Sequence, residues 1–162
     1  MGKTDKVRKI FLVRHGKAEK RENWEGDDCK RPLTEKGIKE FKAFSKWLLD
    51  ILPQKVTIIS SPCDRALETA KILARTLGKE VIIENKLLPD AEPQSYMKVI
   101  RKHKGNLILV GHEPDLSLFL NELTCISPNR IAFKKGAVAE ILEKKNKFSL
   151  FGFYNPKTIL NL

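Results

Sequence analysis

The chain has 162 residues, of which 41% are hydrophobic, and these values predict one soluble globular domain that spans residues 1–162. Its 31 basic and 20 acidic residues give a formal net charge of +11, which attracts phosphorylated or other anionic partners. Because glutamates are interspersed among the lysines, we expect solvated helix faces and no nucleic-acid partner. The polar N-terminus predicts a flexible tail over residues 1–7, and no apolar run is long enough to predict a signal peptide or a membrane span.

The three cysteines are Cys29, Cys63 and Cys125. Their odd number and wide spacing argue against a disulfide framework and indicate a reducing compartment, so we expect a cytoplasmic protein. Cys63 does not fit the nucleophile of a cysteine phosphatase, because Thr69 stands six positions later, where such enzymes have arginine. We therefore interpret Cys63 as a small thiol that is either structural or merely accessible.

Apolar runs and helix signals alternate along the chain, which is the α/β signature. A long polar loop, residues 17–30, separates the first strand from the first helix, and such loops are often functional. The last two strands have no helix between them and predict a hairpin. The predicted strands are 10–13, 56–59, 81–83, 107–110, 137–142 and 148–153. The predicted helices begin near Thr34, Asp64, Ser95 and Asp115.

Three of these strands end on polar motifs that carry arginine or histidine. The first runs into Arg14-His15-Gly16, the second into a loop that ends at Arg65, and the fourth into Gly111-His112. Open α/β sheets bind ligands at the carboxyl ends of their strands, so we expect these side chains in one crevice.

This combination of residues suits phosphoryl transfer. A neutral histidine attacks phosphorus when its other ring N–H is held by a carbonyl or carboxylate, and arginine binds phosphate oxygens bidentately. We therefore expect His15 to attack, Arg14 and Arg65 to hold oxygens, and His112 to contact one more. The histidines match no zinc spacing and the arginines would repel a cation, so we expect no metal and no cofactor.

The sequence resembles the histidine phosphatase superfamily, and most closely its small SixA-type branch of phosphohistidine phosphatases. Four segments in the correct order carry the resemblance, between residues 10 and about 120. They are Arg14-His15-Gly16; Arg31-Pro32-Leu33-Thr34 with Gly37; Ser61-Pro62 with Arg65-Ala66 and Thr69-Ala70; and Gly111-His112-Glu113-Pro114-Asp115-Leu116.

The resemblance implies a phosphohistidine intermediate on His15 and a phosphoglycerate mutase-like fold. That fold is a three-layer α/β/α sandwich with a mostly parallel mixed sheet. Further substrate contacts are expected from Gly16, Lys17, Arg31 and Ser61. Many members take a general acid from the loop after the third strand, where Asp90 and Glu92 are the candidates here.

Three functions remain open from the sequence. The first is hydrolysis of phosphohistidine in a protein, whose imidazole leaving group needs little proton donation. The second is hydrolysis of small phosphoesters with Asp90 or Glu92 as acid. The third is a phosphate- or polyanion-binding module without turnover, which would have little need for a positioned His15.

Overall fold

A computed structural model of the protein describes residues 6–162 and contains one six-stranded sheet with helices on both faces. The strands are β1 (Val7–Arg14), β2 (Thr57–Ser60), β3 (Val81–Ile83), β4 (Leu107–Gly111), β5 (Val138–Lys144) and β6 (Lys147–Tyr154). The helices are α1 (Glu35–Leu48), α2 (Asp64–Leu77), α3 (Pro93–Lys102), α4 (Asp115–Thr124) and the short α5 (Pro156–Ile159). Every predicted strand is present, and the predicted α/β class is confirmed.

The strand order is β3-β2-β4-β1-β5-β6. Strands β1, β2, β3 and β4 pair in parallel, while β5 runs antiparallel to both β1 and β6. The final pair is the predicted hairpin. Because β1, β2 and β4 are parallel neighbours, their carboxyl ends lie at one edge of the sheet, as the sequence predicted.

Alternation along β1 divides the core into two layers. Phe11 and Val13 belong to a buried cluster with α1 and α2, whereas Ile10 and Leu12 belong to a cluster with α3 and α4. A central strand covered on both faces needs a continuous apolar run, which is what residues 10–13 supply. The result is the predicted three-layer α/β/α sandwich.

Helix ends follow the local sequence signals, with small corrections. The Thr34 side chain caps α1 by accepting a hydrogen bond from the Gly37 amide, and Gly78 ends α2 in the left-handed conformation. Helix α2 begins at Asp64, as predicted, and Cys63 is its N-cap. Helix α3 begins at Pro93, two residues before the predicted start, since proline suits the first helical position.

The predicted flexible tail over residues 1–7 extends one residue too far, because Val7 belongs to β1. Val7 already pairs with Lys144 of β5, because β1 extends to match the length of that antiparallel neighbour. Residues 1–5 lie outside the described residues.

Gly111, the last residue of β4, lies directly against the fully buried ring of Tyr96. An added Cβ would collide with Oη of Tyr96 and would stand 3.2 Å from its Cζ. We expect Gly111→Ala to lower the free energy of unfolding by about 2 kcal/mol, as overpacking of cores does. Tyr96→Phe removes Oη, the atom with which the added Cβ collides. The double variant Gly111→Ala, Tyr96→Phe should therefore regain part of the lost free energy of unfolding, as measured by urea unfolding. A double variant no more stable than Gly111→Ala would contradict this account.

Candidate active site

The site is built at the carboxyl edge of the sheet, where three strands end at Arg14, Ser60 and Gly111. The next residues along the chain place His15 and His112 side by side, with ring centroids 5.4 Å apart. Helix α2 begins at this same edge, so its second residue, Arg65, is brought to the histidines.

The ring of His15 is fixed in the orientation that a nucleophile requires. Its Nδ1 lies 2.8 Å from the carbonyl oxygen of Gly16, and the side chain is buried. An Nδ1–H that donates to this carbonyl leaves the lone pair on Nε2 free to attack. Burial, together with the charges of His112, Arg65 and Arg14, lowers the pKa of His15 to about 3. The ring is therefore neutral at physiological pH.

His112 is held by a different partner. Its Nε2 lies 2.8 Å from Oγ of Ser61, and burial together with the charge of Arg65 lowers its pKa to about 3. The other ring nitrogen, Nδ1, is buried and has no hydrogen-bond partner among residues 6–162. Buried polar atoms without partners are rare and call for an explanation, such as a ligand.

Two arginines complete the set. Arg14 donates from Nη1 to the carbonyl of Phe133 at 2.7 Å, and Arg65, which is buried, donates from Nη1 to the carbonyl of Asp28 at 2.8 Å. In both side chains Nε is buried and lacks a partner within the described part of the chain. We call Arg14, His15, Arg65 and His112 the phosphate pocket. Its unpaired guanidinium nitrogens are what a bound phosphoryl oxygen would satisfy.

The other residues predicted to contact substrate have partners of their own. The Gly16 amide donates to Oγ1 of Thr69 at 3.0 Å, and Ser61 orients His112. Arg31 is buried and donates to the carbonyl of Glu19, while Lys17 is exposed. Direct substrate contacts by these four residues stay predictions.

The candidate acids lie on the loop between β3 and α3. Buried Asp115 anchors this loop, because its Oδ2 accepts a hydrogen bond from the Ala91 amide at 3.2 Å. Burial raises the pKa of Asp115 to about 6. Asp90 and Glu92 are exposed, and in the described structure neither forms a hydrogen bond or an ion pair with the phosphate pocket. A role for either as acid remains a prediction.

Asp28 was not singled out from the sequence. Its carboxylate lies 3.1 Å from Nη2 of Arg65, 3.0 Å from Nε of Arg31 and 3.4 Å from Nε of Arg21. Burial raises the pKa of Asp28, but the hydrogen bond from Arg31 and the charge of Arg65 outweigh it and hold the pKa below its usual value. Asp28 sits in an acidic loop with no periodic pattern, so only the folded loop distinguishes it from its neighbours.

The predicted absence of disulfides is wrong, because Cys29 and Cys63 are bonded, with Cα atoms 4.5 Å apart. The loop after β1 folds back onto the start of α2, so sequence spacing hid their proximity. The bond ties the turn that carries Asp28 to the helix that carries Arg65. It also removes the cysteine-based reason for a reducing compartment, and cytoplasmic location stays a prediction.

Loss of this disulfide should weaken the fold. It closes a loop of 34 residues, for which chain entropy predicts a loss of about 2–4 kcal/mol in the free energy of unfolding on Cys29→Ser. Cys125→Ser is the matched control, since Cys125 is exposed and unbonded. Urea unfolding with and without dithiothreitol checks this: reductant should lower wild type to the level of Cys29→Ser and leave that variant unchanged. Equal stability of wild type and Cys29→Ser without reductant would contradict the prediction.

Comparisons with known proteins found matches in both sequence and structure. Residues 10–88 match the model of the histidine phosphatase superfamily (branch 1). An uncharacterised protein of Picosynechococcus sp. is 32% identical over 112 residues, which cover 66% of this chain and 67% of that protein.

Solved structures share the fold. The protein histidine phosphatase SixA complexed with tungstate superposes with a TM-score of 0.80 at 20% identity, covering 93% of this chain and 99% of that chain. Phosphoglycerate mutase from Bacillus anthracis gives 0.75 at 16% identity, covering 94% and 95%. The predicted phosphoglycerate mutase-like fold is confirmed. Among residues 6–162, no helix is long and apolar enough to cross a membrane.

Proposed function

The chain belongs to the histidine phosphatase superfamily and is a phosphatase, and from this premise we propose that it hydrolyses phosphohistidine in a protein, without a metal. The observation that carries the proposal is the His15 ring. Its Nδ1 is held by the Gly16 carbonyl and its pKa is low. Arg14, Arg65 and His112, each with a buried unpaired nitrogen, are close enough to lower that pKa.

The reaction has two displacements. In the first, Nε2 of His15 attacks phosphorus, the bond from phosphorus to the substrate imidazole breaks, and the leaving nitrogen takes a proton from solvent. In the second, water attacks the phosphorylated His15, releasing inorganic phosphate and restoring the free ring, with the proton passing to solvent. Arg14 and Arg65 offset the charge on the equatorial oxygens, which is the role a metal ion has in other phosphatases.

Leaving-group chemistry supports this substrate class. An alkoxide needs a positioned acid, whereas imidazole leaves readily because its own pKa is about 6.5. The exposed Asp90 and Glu92 form no hydrogen bond or ion pair with the phosphate pocket in the described structure, which favours phosphohistidine over unactivated esters.

The test compares phosphate release from a phosphohistidine-bearing protein, from p-nitrophenyl phosphate and from phosphoserine, all with EDTA present. We expect kcat/KM to be highest for phosphohistidine and lowest for phosphoserine, by about 10²-fold or more, since general acid catalysis is worth that much to an alkoxide. Asp90→Asn and Glu92→Gln should leave phosphohistidine turnover within about twofold.

Each other outcome has a defined meaning. If phosphoserine is turned over faster than phosphohistidine, and this activity falls in Asp90→Asn or Glu92→Gln, the protein is a phosphomonoesterase and the proposal is wrong. Loss of activity in EDTA, regained with added Mg²⁺, would overturn metal independence. Binding of phosphate without turnover of any of the three compounds would leave a binding module.

A further inference from the structure

A basic groove of about 590 Å³ adjoins the phosphate pocket and shares Arg14 with it. We call it the lysine groove. It is lined by Arg14, Lys17, Lys36, Lys134, Lys135 and Lys157, with Glu40 as its one carboxylate side chain among the described residues. Resting on the proposed function, we infer that this groove binds an acidic segment of the phosphorylated protein, next to its phosphohistidine.

The groove is rigidly joined to the phosphate pocket. The amide of Gly136, which follows Lys134 and Lys135, donates to the carbonyl oxygens of Arg14 at 3.0 Å and His15 at 2.9 Å. The loop with both lysines is thereby fixed to the turn that carries the nucleophile. A segment bound by these lysines is thus presented to His15.

The positive charge in the groove is largely uncompensated. Oε1 of Glu40 lies 4.0 Å from Nζ of Lys17 and 3.9 Å from Nζ of Lys36. One carboxylate therefore forms long ion pairs with two lysines. Lys134, Lys135 and Lys157 form no ion pair with any residue of the described chain. Burial and the nearby charges of Arg14, Arg31 and Lys17 lower the pKa of Lys135, as repulsion among cations does. An anionic ligand would relieve that repulsion.

The chemistry of the lining favours carboxylates on a polypeptide. Lysine is a mobile point charge, whereas the bidentate forks that select phosphate are arginines, and Arg14 is the one arginine of this lining. No aromatic side chain lines the groove in the described structure, so it offers no platform for stacking nucleic-acid bases. Because the lining lysines come from separate segments of the chain, each can contact a different acidic side chain of an extended peptide.

The test uses two synthetic peptides with one phosphohistidine each, flanked by four glutamates or by four glutamines. For wild type at low salt we expect kcat/KM to be about tenfold higher for the glutamate peptide, and the difference to shrink as salt screens the charges. In the triple variant Lys36→Glu, Lys134→Glu, Lys157→Glu the preference should disappear. Turnover of the small substrate phosphoramidate should stay within about twofold of wild type, because none of the three is in the phosphate pocket.

The matched control is Lys71→Glu, Lys79→Glu, Lys98→Glu, which changes net charge equally at exposed lysines that do not line the groove. The control variant should keep the tenfold preference. A preference retained in the groove variant, or lost equally in both triples, would overturn the inference and leave only a net-charge effect.

Binding separates this inference from the proposed function. The unphosphorylated glutamate peptide, measured by fluorescence anisotropy, should bind wild type more tightly than the groove variant even if no peptide is turned over. If no phosphohistidine is turned over but the glutamate peptide still binds wild type more tightly than the groove variant, the proposed function alone is contradicted. If wild type and the groove variant bind the peptide equally, the inference alone is contradicted. The same holds if wild type binds a single-stranded oligonucleotide more tightly than the peptide.

Discussion

Replacement of His15 by alanine is expected to abolish turnover, lowering kcat by at least about 10⁴-fold, because in the proposed mechanism the phosphorylated intermediate forms on its Nε2. Single-turnover reactions with ³²P-labelled substrate should leave an acid-labile label on wild type and none on the variant. His103→Ala is the matched control, since that histidine lies at the end of α3 and outside the phosphate pocket. Equal labelling of His15→Ala and wild type would exclude His15 as the nucleophile.

The low pKa of His15 adds a pH signature to this result. A pKa near 3 means that the ring stays unprotonated as pH falls through the usual histidine value of about 6.5. We therefore expect kcat/KM, corrected for ionisation of the substrate, to stay level between about pH 7 and about pH 5. An acid limb near 6.5, matched by an NMR titration of His15 at that value, would contradict the electrostatic account of the pocket.

Replacement of Arg65 by alanine is expected to lower kcat/KM by about 10³-fold, since in the proposed mechanism this buried guanidinium offsets charge on the transferred phosphoryl group. Arg65→Lys should recover only part of this loss, because a point charge cannot form the bidentate fork. Circular dichroism and urea unfolding check that both variants remain folded.

The partner of Arg65 provides the control that separates catalysis from loop anchoring. If Arg65 served only to hold Asp28, then Asp28→Ala would cost as much activity as Arg65→Ala. We expect instead a smaller loss, accompanied by tighter binding of inorganic phosphate, because the Asp28 carboxylate competes with phosphate for Nη2 of Arg65. Equal losses in the two variants would show that Arg65 acts through the loop.

The sequence predicts the elements well where burial alone decides them. The run over residues 10–13 is apolar because β1 is covered on both faces, and a short apolar run that ends in a turn signal favours a buried strand. The strand ends then locate His15 and His112, since parallel strands bring their carboxyl ends together.

The sequence did not predict the contacts between side chains that a folded loop brings together. The disulfide of Cys29 and Cys63, and the pairing of Asp28 with Arg65, depend on how the segment between β1 and α1 folds back. That segment has no periodic pattern, and its two short 3₁₀ turns follow no hydrophobic repeat. Its contacts are set by the tertiary structure, which local propensity does not encode.

The central position of β1 has a consequence for how the protein is made. Strand β1 leaves the ribosome before its two neighbours in the sheet, β4 and β5, since Ile10 pairs with Leu107 and Ile141. Such distant pairing gives a high contact order and slow folding, and it leaves an apolar strand exposed on the nascent chain. His15 is thus synthesised early, but it reaches its place beside His112 only after β4 has been made.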